Sequence, residues 1–399
     1  MTTTINKEQK NPNVPNLRFP EFEGEWQEKR LSDIADLSKG IGISKDQLSA
    51  DGEPCILYGE LYTKYKSETI KEVISKTNID NTKLVKSKAN DVIIPCSGET
   101  AEEIATARCV LKDDILLGGD LNIIRLHGYD GSFMSYQLNG KRKYDIAKVA
   151  QGVSVVHLYG EHLKNINTIN PSLNEQKKIA NLLSLLDERI STQNKIIEDL
   201  KMLRSAIIER EYHQDSSKLS CIGDAIVQTS KRNKTGVLHN VLSVSNIHGF
   251  VKQSEQFEDR NIASEDTSNY KIVERNEFAF NPARINVGSI ARLMTYENGI
   301  VSPMYICFRT KDCLQPEYLE YFFETKQFVF EMRRRLEGSV RQCLSFDGLC
   351  NIPFIIPIME QQQRIEQHIS VLTQKIQLEN DILRLLHEQK SGLLNQMFI

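Results

Sequence analysis

The chain repeats itself at long range. Residues 152–207 and 338–393 align without a gap at an offset of 186. The alignment pairs Gly152 with Gly338, Leu158 with Leu344, Leu163 with Leu349, Asn165 with Asn351 and Ile166 with Ile352. It continues through Pro171 and Pro357, Gln176 and Gln362, Ile190 and Ile376, and Asn194 and Asn380. Solenoid repeats run to a few tens of residues, so a period this long marks a duplicated domain. Two copies of one module predict two related surfaces. Upstream the match continues: residues 30–36 resemble 218–224 at an offset of 188, and 133–136 resemble 318–321 at 185. Between these anchors the copies diverge, as a common scaffold carrying two different faces would.

The downstream part of each copy reads as a long helix. From Asn174 to about Glu211 there is no glycine or proline, and good helix formers dominate. Ile179, Leu183, Leu186, Ile190, Gln193, Ile197, Leu200, Arg204 and Ile207 alternate steps of four and three, a heptad seam. Adding 186 gives Ile365, Ile369, Leu372, Ile376, Glu379, Leu383, Leu386, Lys390 and Leu393, with polar residues at the same two places. Such a helix spans about 55 Å, and so long an apolar stripe needs another to cover it. Each helix is the other's expected partner, packed antiparallel, with the two modules standing at opposite ends of the rod; packing of each helix on its own module is the alternative.

The upstream part reads as a mixed, strand-rich domain. Strands are expected at 90–97 and 119–126, with counterparts at 276–281 and 300–309, and helices at 132–148 and 316–336. A glycine-led loop follows (Gln151-Gly152-Val153-Ser154 and Glu337-Gly338-Ser339-Val340), then a strand ending in Pro171 or Pro357. The expected organisation is a flexible tail at 1–16, a first domain at 17–170, a helical spacer at 171–213, a second domain at 214–356 and a second spacer at 357–399. The fold class is α+β, two similar mixed domains separated by two long helices in an antiparallel coiled coil with pseudo-two-fold repetition.

Composition excludes more than it identifies. No apolar run approaches the ~20 residues that span a bilayer, and the polar N-terminus lacks a signal-peptide core. The eight cysteines show no Cys-x-x-Cys pair and no zinc spacing, so no metal is expected and the thiols read as reduced residues of a cytoplasmic protein. No Gly-x-Gly-x-x-Gly, Walker A, His-Glu-x-x-His or Gly-x-Ser-x-Gly sequence occurs. Asn351-Ile352-Pro353-Phe354 comes near an adenine-methyltransferase box but lies inside the repeated strand, and Asp113-Asp114 reads as a turn.

The segment PNLRFPEFEGEW (15–26) and the twice-repeated glycine loop, strand, Pro-x-Leu-x-Glu-Gln-x-x-Ile and long helix resemble the specificity subunits of Type I restriction–modification systems. The first copy matches fully at 171–179; the second has Met359 for the leucine and Gln361 for the glutamate. The resemblance covers nearly the whole chain from about residue 14. It implies a non-catalytic subunit with two target recognition domains, each reading half of a split double-stranded DNA target, and antiparallel helices acting as a ruler. It implies as partners two methyltransferase (M) subunits using S-adenosylmethionine, and restriction/translocase (R) subunits using ATP and magnesium. The chain itself would hold no cofactor.

Charge is the point of tension. The formal net charge is −3, not the footprint of a nucleic-acid binder. Locally, Lys141, Arg142, Lys143 and Lys148 precede the first glycine loop, while Arg333, Arg334 and Arg335 precede the second, which contains Arg341. Matching basic clusters beside matching loops suit phosphate contacts, although one basic triplet alone reads as a solvated helix face. Candidates for base contact are Gln151, Ser154 and His157 in the first module and Arg341 and Gln342 in the second. Weaker candidates are Arg108, Asn281, Arg284 and Asn286. Two alternatives stay open: a fused methyltransferase or endonuclease, opposed by the missing motifs, and a purely structural coiled-coil adaptor.

Overall fold

The computed structural model describes residues 13–152, 155–213, 220–256, 266–339 and 341–399. The chain divides into two compact units. Unit 1 holds the residues up to Lys195 together with Asp381–Ile399, and unit 2 is Ile196–Asn380. Each unit therefore contains one mixed domain and a segment of both long helices.

Unit 1 is built on a five-stranded sheet in the order Ala35–Lys39, Leu121–Leu126, Asp91–Pro95, Arg108–Val110, Thr69–Ile70. Only the last pair is parallel. Among the described residues unit 2 has the same sheet without the fifth strand: Ile226–Thr229, Ile306–Thr310, Phe278–Phe280, Ile290–Arg292. Apolar residues fill both layers beneath. Val92, Ile94, Ile124, Met134 and Leu138 form the core of unit 1. In unit 2 an aromatic core contains Phe278 stacked on Phe308 at 5.1 Å, with Phe280, Tyr318 and Phe354. The copies differ in their outer strands. Unit 1 adds a second five-stranded sheet, whereas unit 2 has two separate two-stranded pairs, Leu242–Ser245 with Gly249–Lys252 and Lys271–Glu274 with Asn298–Val301.

The expected strands and helices are present, except that the strand before Pro357 is only Pro353–Phe354, and with three further differences. The segment 300–309 is two strands, Asn298–Val301 and Ile306–Thr310, because Pro303 has no N–H to extend a ladder and Tyr305 N closes a turn on Ser302 O. The helices over 132–148 and 316–336 are each broken, at Gly140–Arg142 and at Phe323–Thr325. The upstream register is 191, not 188. Leu31 N bonds Ile166 O and Ile222 N bonds Ile352 O, both at 3.0 Å. Asp33 receives Arg30 N as Asp224 receives Cys221 N. Of the expected tail, residues 1–12 lie outside the described residues, but 13–16 belong to unit 1: Pro15 is buried and Asn13 O accepts from Trp26 N.

The long helices run Leu173–Tyr212 and Met359–Met397, 40 and 39 residues, or about 60 Å each. In unit 1 the first turns of one meet the last turns of the other: Ile179, Ala180 and Leu183 cluster with Leu393, Leu394, Met397 and Phe398. In unit 2 the ends are reversed, Ile207, Ile208 and Tyr212 clustering with Ile365 and Ile369. The helices are thus antiparallel in both. Ile179, Leu183, Leu186, Ile197, Ile365, Ile369 and Leu386 are buried, and Ile190, Leu200, Ile207, Leu372, Ile376, Leu383 and Leu393 half-buried.

The shared polar positions anchor each domain to the helices. Lys390 Nζ lies 2.7 Å from Glu68 and 2.6 Å from Asp187, 5.6 Å from the centre of the Tyr136 ring. At the equivalent place in unit 2, Arg204 bonds Thr373 Oγ1 at 2.9 Å and both oxygens of Glu324, 5.5 Å from the centre of the Tyr321 ring. The motif glutamine has the same task twice. Gln176 accepts from Asp130 N and donates to Pro171 O; Gln362 accepts from Gln315 N and donates to Pro357 O and Cys313 O. The glutamate before it explains why the copies differ there. Glu175 takes both forks of Arg18 at 2.8 Å and Trp26 Nε1 at 3.3 Å, so it ties down the opening segment, while its counterpart Gln361 is exposed.

Candidate nucleic-acid interface

In unit 1 the glycine loop is pinched shut at its base: Gln151 N bonds His157 O at 2.9 Å and His157 N returns to Gln151 O at 2.7 Å. Unit 2 repeats this with Glu337 and Cys343 at 2.9 and 2.8 Å. The turn demands glycine, since Gly152 has φ +126° and Gly338 φ +102°. A Cβ at either would collide with the carbonyl oxygen of Val155 or Arg341. After the loop, Leu158 N bonds Cys96 O and Leu344 N bonds Pro282 O. The loop therefore sits beside the chain leaving the central strand in both copies.

Other candidates gather around these loops. In unit 1, His157 pairs with Ser97, its Nδ1 3.3 Å from Ser97 Oγ. Helix Ala101–Ile104 packs on helix Lys143–Val149, and Gln151, His157, Lys141, Lys143 and Lys148 are exposed, with Lys148 over the Tyr144 ring. In unit 2, Arg284 and Asn286 lie exposed on the turn Ile285–Val287, which packs on helix Lys326–Arg334. Arg333, Arg341 and Gln342 are exposed. Ser154 lies outside the described residues.

Four of the named side chains are tied to neighbouring groups. Arg142 is half-buried, donates to Ile399 O at 2.9 Å and faces Asp145 at 3.4 Å. Arg335 is drawn back onto Glu331, which Arg334 also approaches at 3.4 Å while staying exposed. Asn281 is buried and holds Ala283 N with its side-chain oxygen. Arg108 is 9 % exposed and donates to Tyr65 O and Ala107 O. Burial lowers the pKa of Arg108, and the carboxylates of Glu68 and Asp187 oppose that fall. Burial also pushes the Glu68 carboxyl up, while the same two carboxylates outweigh burial at Lys390 and hold its ammonium above the ordinary value. Asn351-Ile352-Pro353-Phe354 is structural, Pro353–Phe354 pairing with Ser220–Cys221.

Two features escaped the sequence reading. One is the cleft in which Lys66 and Tyr62 join Arg108 and Lys143. The other is the clamp on the opening segment, for which Glu175 standing opposite Gln361 was the available signal. No helix among the described residues is long and apolar enough to cross a membrane.

Comparison with known proteins agrees with this double construction. Two solved structures share the fold over nearly the whole chain. One is the S subunit of a Type-I restriction-modification system from M. genitalium, 17 % identical, with a TM-score of 0.59, covering 97 % of this chain and 99 % of that one. The other comes from work on complex assembly and conformational transition of the type I R-M system, 13 % identical, TM-score 0.55, covering 94 % and 97 %. The Type I restriction enzyme MjaVIII specificity subunit of Methanocaldococcus jannaschii is 28 % identical over 224 residues, 55 % of this chain. The match spans about half of that relative, 49 % of its length. The family model for the Type I restriction modification DNA specificity domain matches residues 23–202 and 249–388, one stretch for each copy of the repeat, and the chain belongs to that family.

Proposed function

We propose that the chain is the DNA-reading subunit of a Type I restriction–modification complex, each unit reading one half of a split, asymmetric target. The long helices set the gap between the halves and dock two methyltransferase subunits. Those partners supply the S-adenosylmethionine chemistry, and restriction subunits the ATP- and magnesium-dependent cleavage; this chain recognises and holds. The reading is carried by one observation: the same loop is built twice on equivalent hydrogen bonds, yet presents Gln151 and His157 in one copy and Arg341 and Gln342 in the other. One scaffold with two sets of exposed donors and acceptors suits two different half-sites. A 60 Å helix corresponds to roughly 18 base pairs of duplex, enough to separate two reading heads. The test is co-expression with the cognate methyltransferase and mapping of methylated adenines. Two short blocks at a fixed gap support the reading, and a continuous motif opposes it.

A further inference from the structure

Unit 1 carries a cleft of about 490 Å³ between the turn after Tyr62, helix Ala101–Ile104 and the start of helix Lys143–Val149. Arg108 lines it. The guanidinium plane is fixed, since Nε donates to Tyr65 O at 3.2 Å and Nη1 to Ala107 O at 2.9 Å. Lys66 and Lys143 line the same cleft and are exposed; Lys66 Nζ donates to Tyr62 O. Thus three cations from three segments share one cleft, and none forms an ion pair among the described residues. Glu102 and Glu103 line it as well and are exposed. Tyr62 ties the cleft to the interface already described, donating its hydroxyl to Ser97 O, opposite His157.

A pre-oriented guanidinium flanked by two exposed ammonium groups suits a phosphodiester: the fork fixes the oxygens and the lysines add point charge. The feature belongs to one copy only. Arg108 stands opposite Ile93 on the repeated strand, and the equivalent place opposite Ala279 in unit 2 holds Ala291. We propose that this cleft, through Arg108, Lys66 and Lys143, takes a backbone phosphate of the DNA at the half-site read by unit 1.

The inference rests on the DNA-reading function above, and its test separates the two. The complex of the full chain with its methyltransferase subunits is titrated onto a motif-bearing duplex across a series of KCl concentrations. The double variant K66A/K143A changes two exposed side chains and leaves the buried Arg108 in place. It should reduce the slope of log K against log [salt] by up to about 0.9, the contribution of one phosphate, while the methylated motif stays the same. The control K83A/K112A, two exposed lysines that do not line the cleft, should leave the slope unchanged. A duplex scanned with single neutral methylphosphonates should weaken binding of the unaltered complex at one position, and should weaken K66A/K143A there markedly less, Arg108 alone remaining to contact it. An unchanged slope, or methylphosphonate sensitivity identical in both proteins, overturns the cleft assignment and leaves the DNA-reading function standing. Absence of motif-dependent binding by the unaltered complex overturns both.

Discussion

Replacing Gln176 with alanine removes two bonds from a side chain only 1 % exposed: Asp130 N loses its acceptor at 2.9 Å and Pro171 O its donor at 2.8 Å. A buried group left without a partner costs about 1–3 kcal/mol. Gln176→Ala should therefore destabilise unit 1 by about 2–6 kcal/mol, before any cavity is counted. With a urea slope of about 3 kcal/mol/M, the midpoint falls by about 1–2 M. Gln362→Ala orphans one acceptor more, Cys313 O, and should cost unit 2 somewhat more. The chain's single tryptophan, Trp26, is buried in unit 1. Its fluorescence follows that unit, and far-ultraviolet dichroism follows both. Gln176→Met is the decisive variant, because it fills the volume without making the bonds. It should keep most of the alanine loss. A methionine variant as stable as the parent would show that volume, not hydrogen bonding, explains the repeated glutamine.

Glu175→Gln imitates the second copy and weakens the clamp on Arg18 and Trp26, costing about 1–3 kcal/mol; limited proteolysis should then cut within 13–26 sooner. Gly152→Ala and Gly338→Ala force a side chain into a left-handed conformation against a carbonyl, with a loss of at least about 1 kcal/mol. In a methylation assay on duplexes altered in one half-site, each should relax discrimination at its own half alone. Leu183→Ala empties a fully buried seam position and should cost about 2–5 kcal/mol in urea unfolding. Burial pushes the Glu277 carboxyl above the ordinary carboxylate value, so the folded state holds its proton more tightly than the unfolded one. Its contribution to stability therefore falls as pH rises from the ordinary carboxylate value through the raised one, and is constant above. Glu277→Gln should remove that component, its advantage over the parent growing across the interval and then levelling off.

The long helices, their seam and even its interruptions were legible in the sequence because heptad spacing is local and the duplication displays it twice. Gln193 and Glu379 are buried as the seam requires, and Arg204 and Lys390 prove to be the domains' anchors. What those anchors grip was not legible, since Glu68 lies 322 residues from Lys390 and is brought there by the sheet. The upstream register slipped by three because a short stretch resembling itself at 188 carries no hydrogen-bond information; the paired bonds of Leu31 and Ile222, and those to Asp33 and Asp224, decide it. Pro303 was visible, but a run of β-formers on both sides outweighed it. Among the basic residues, sequence alone could not separate exposed Lys141 and Arg333 from Arg142 and Arg335. That separation depends on the chain's last residue and on Glu331.

The most direct measurement maps methylated adenines in cells expressing this chain with its methyltransferase, beside a chain whose residues 30–160 come from another family member. Two readers on a shared ruler should give two short blocks at a fixed gap, and an exchange that rewrites one block while leaving the other block and the gap untouched. One continuous motif, or an exchange that rewrites both blocks, would contradict two readers on a shared ruler.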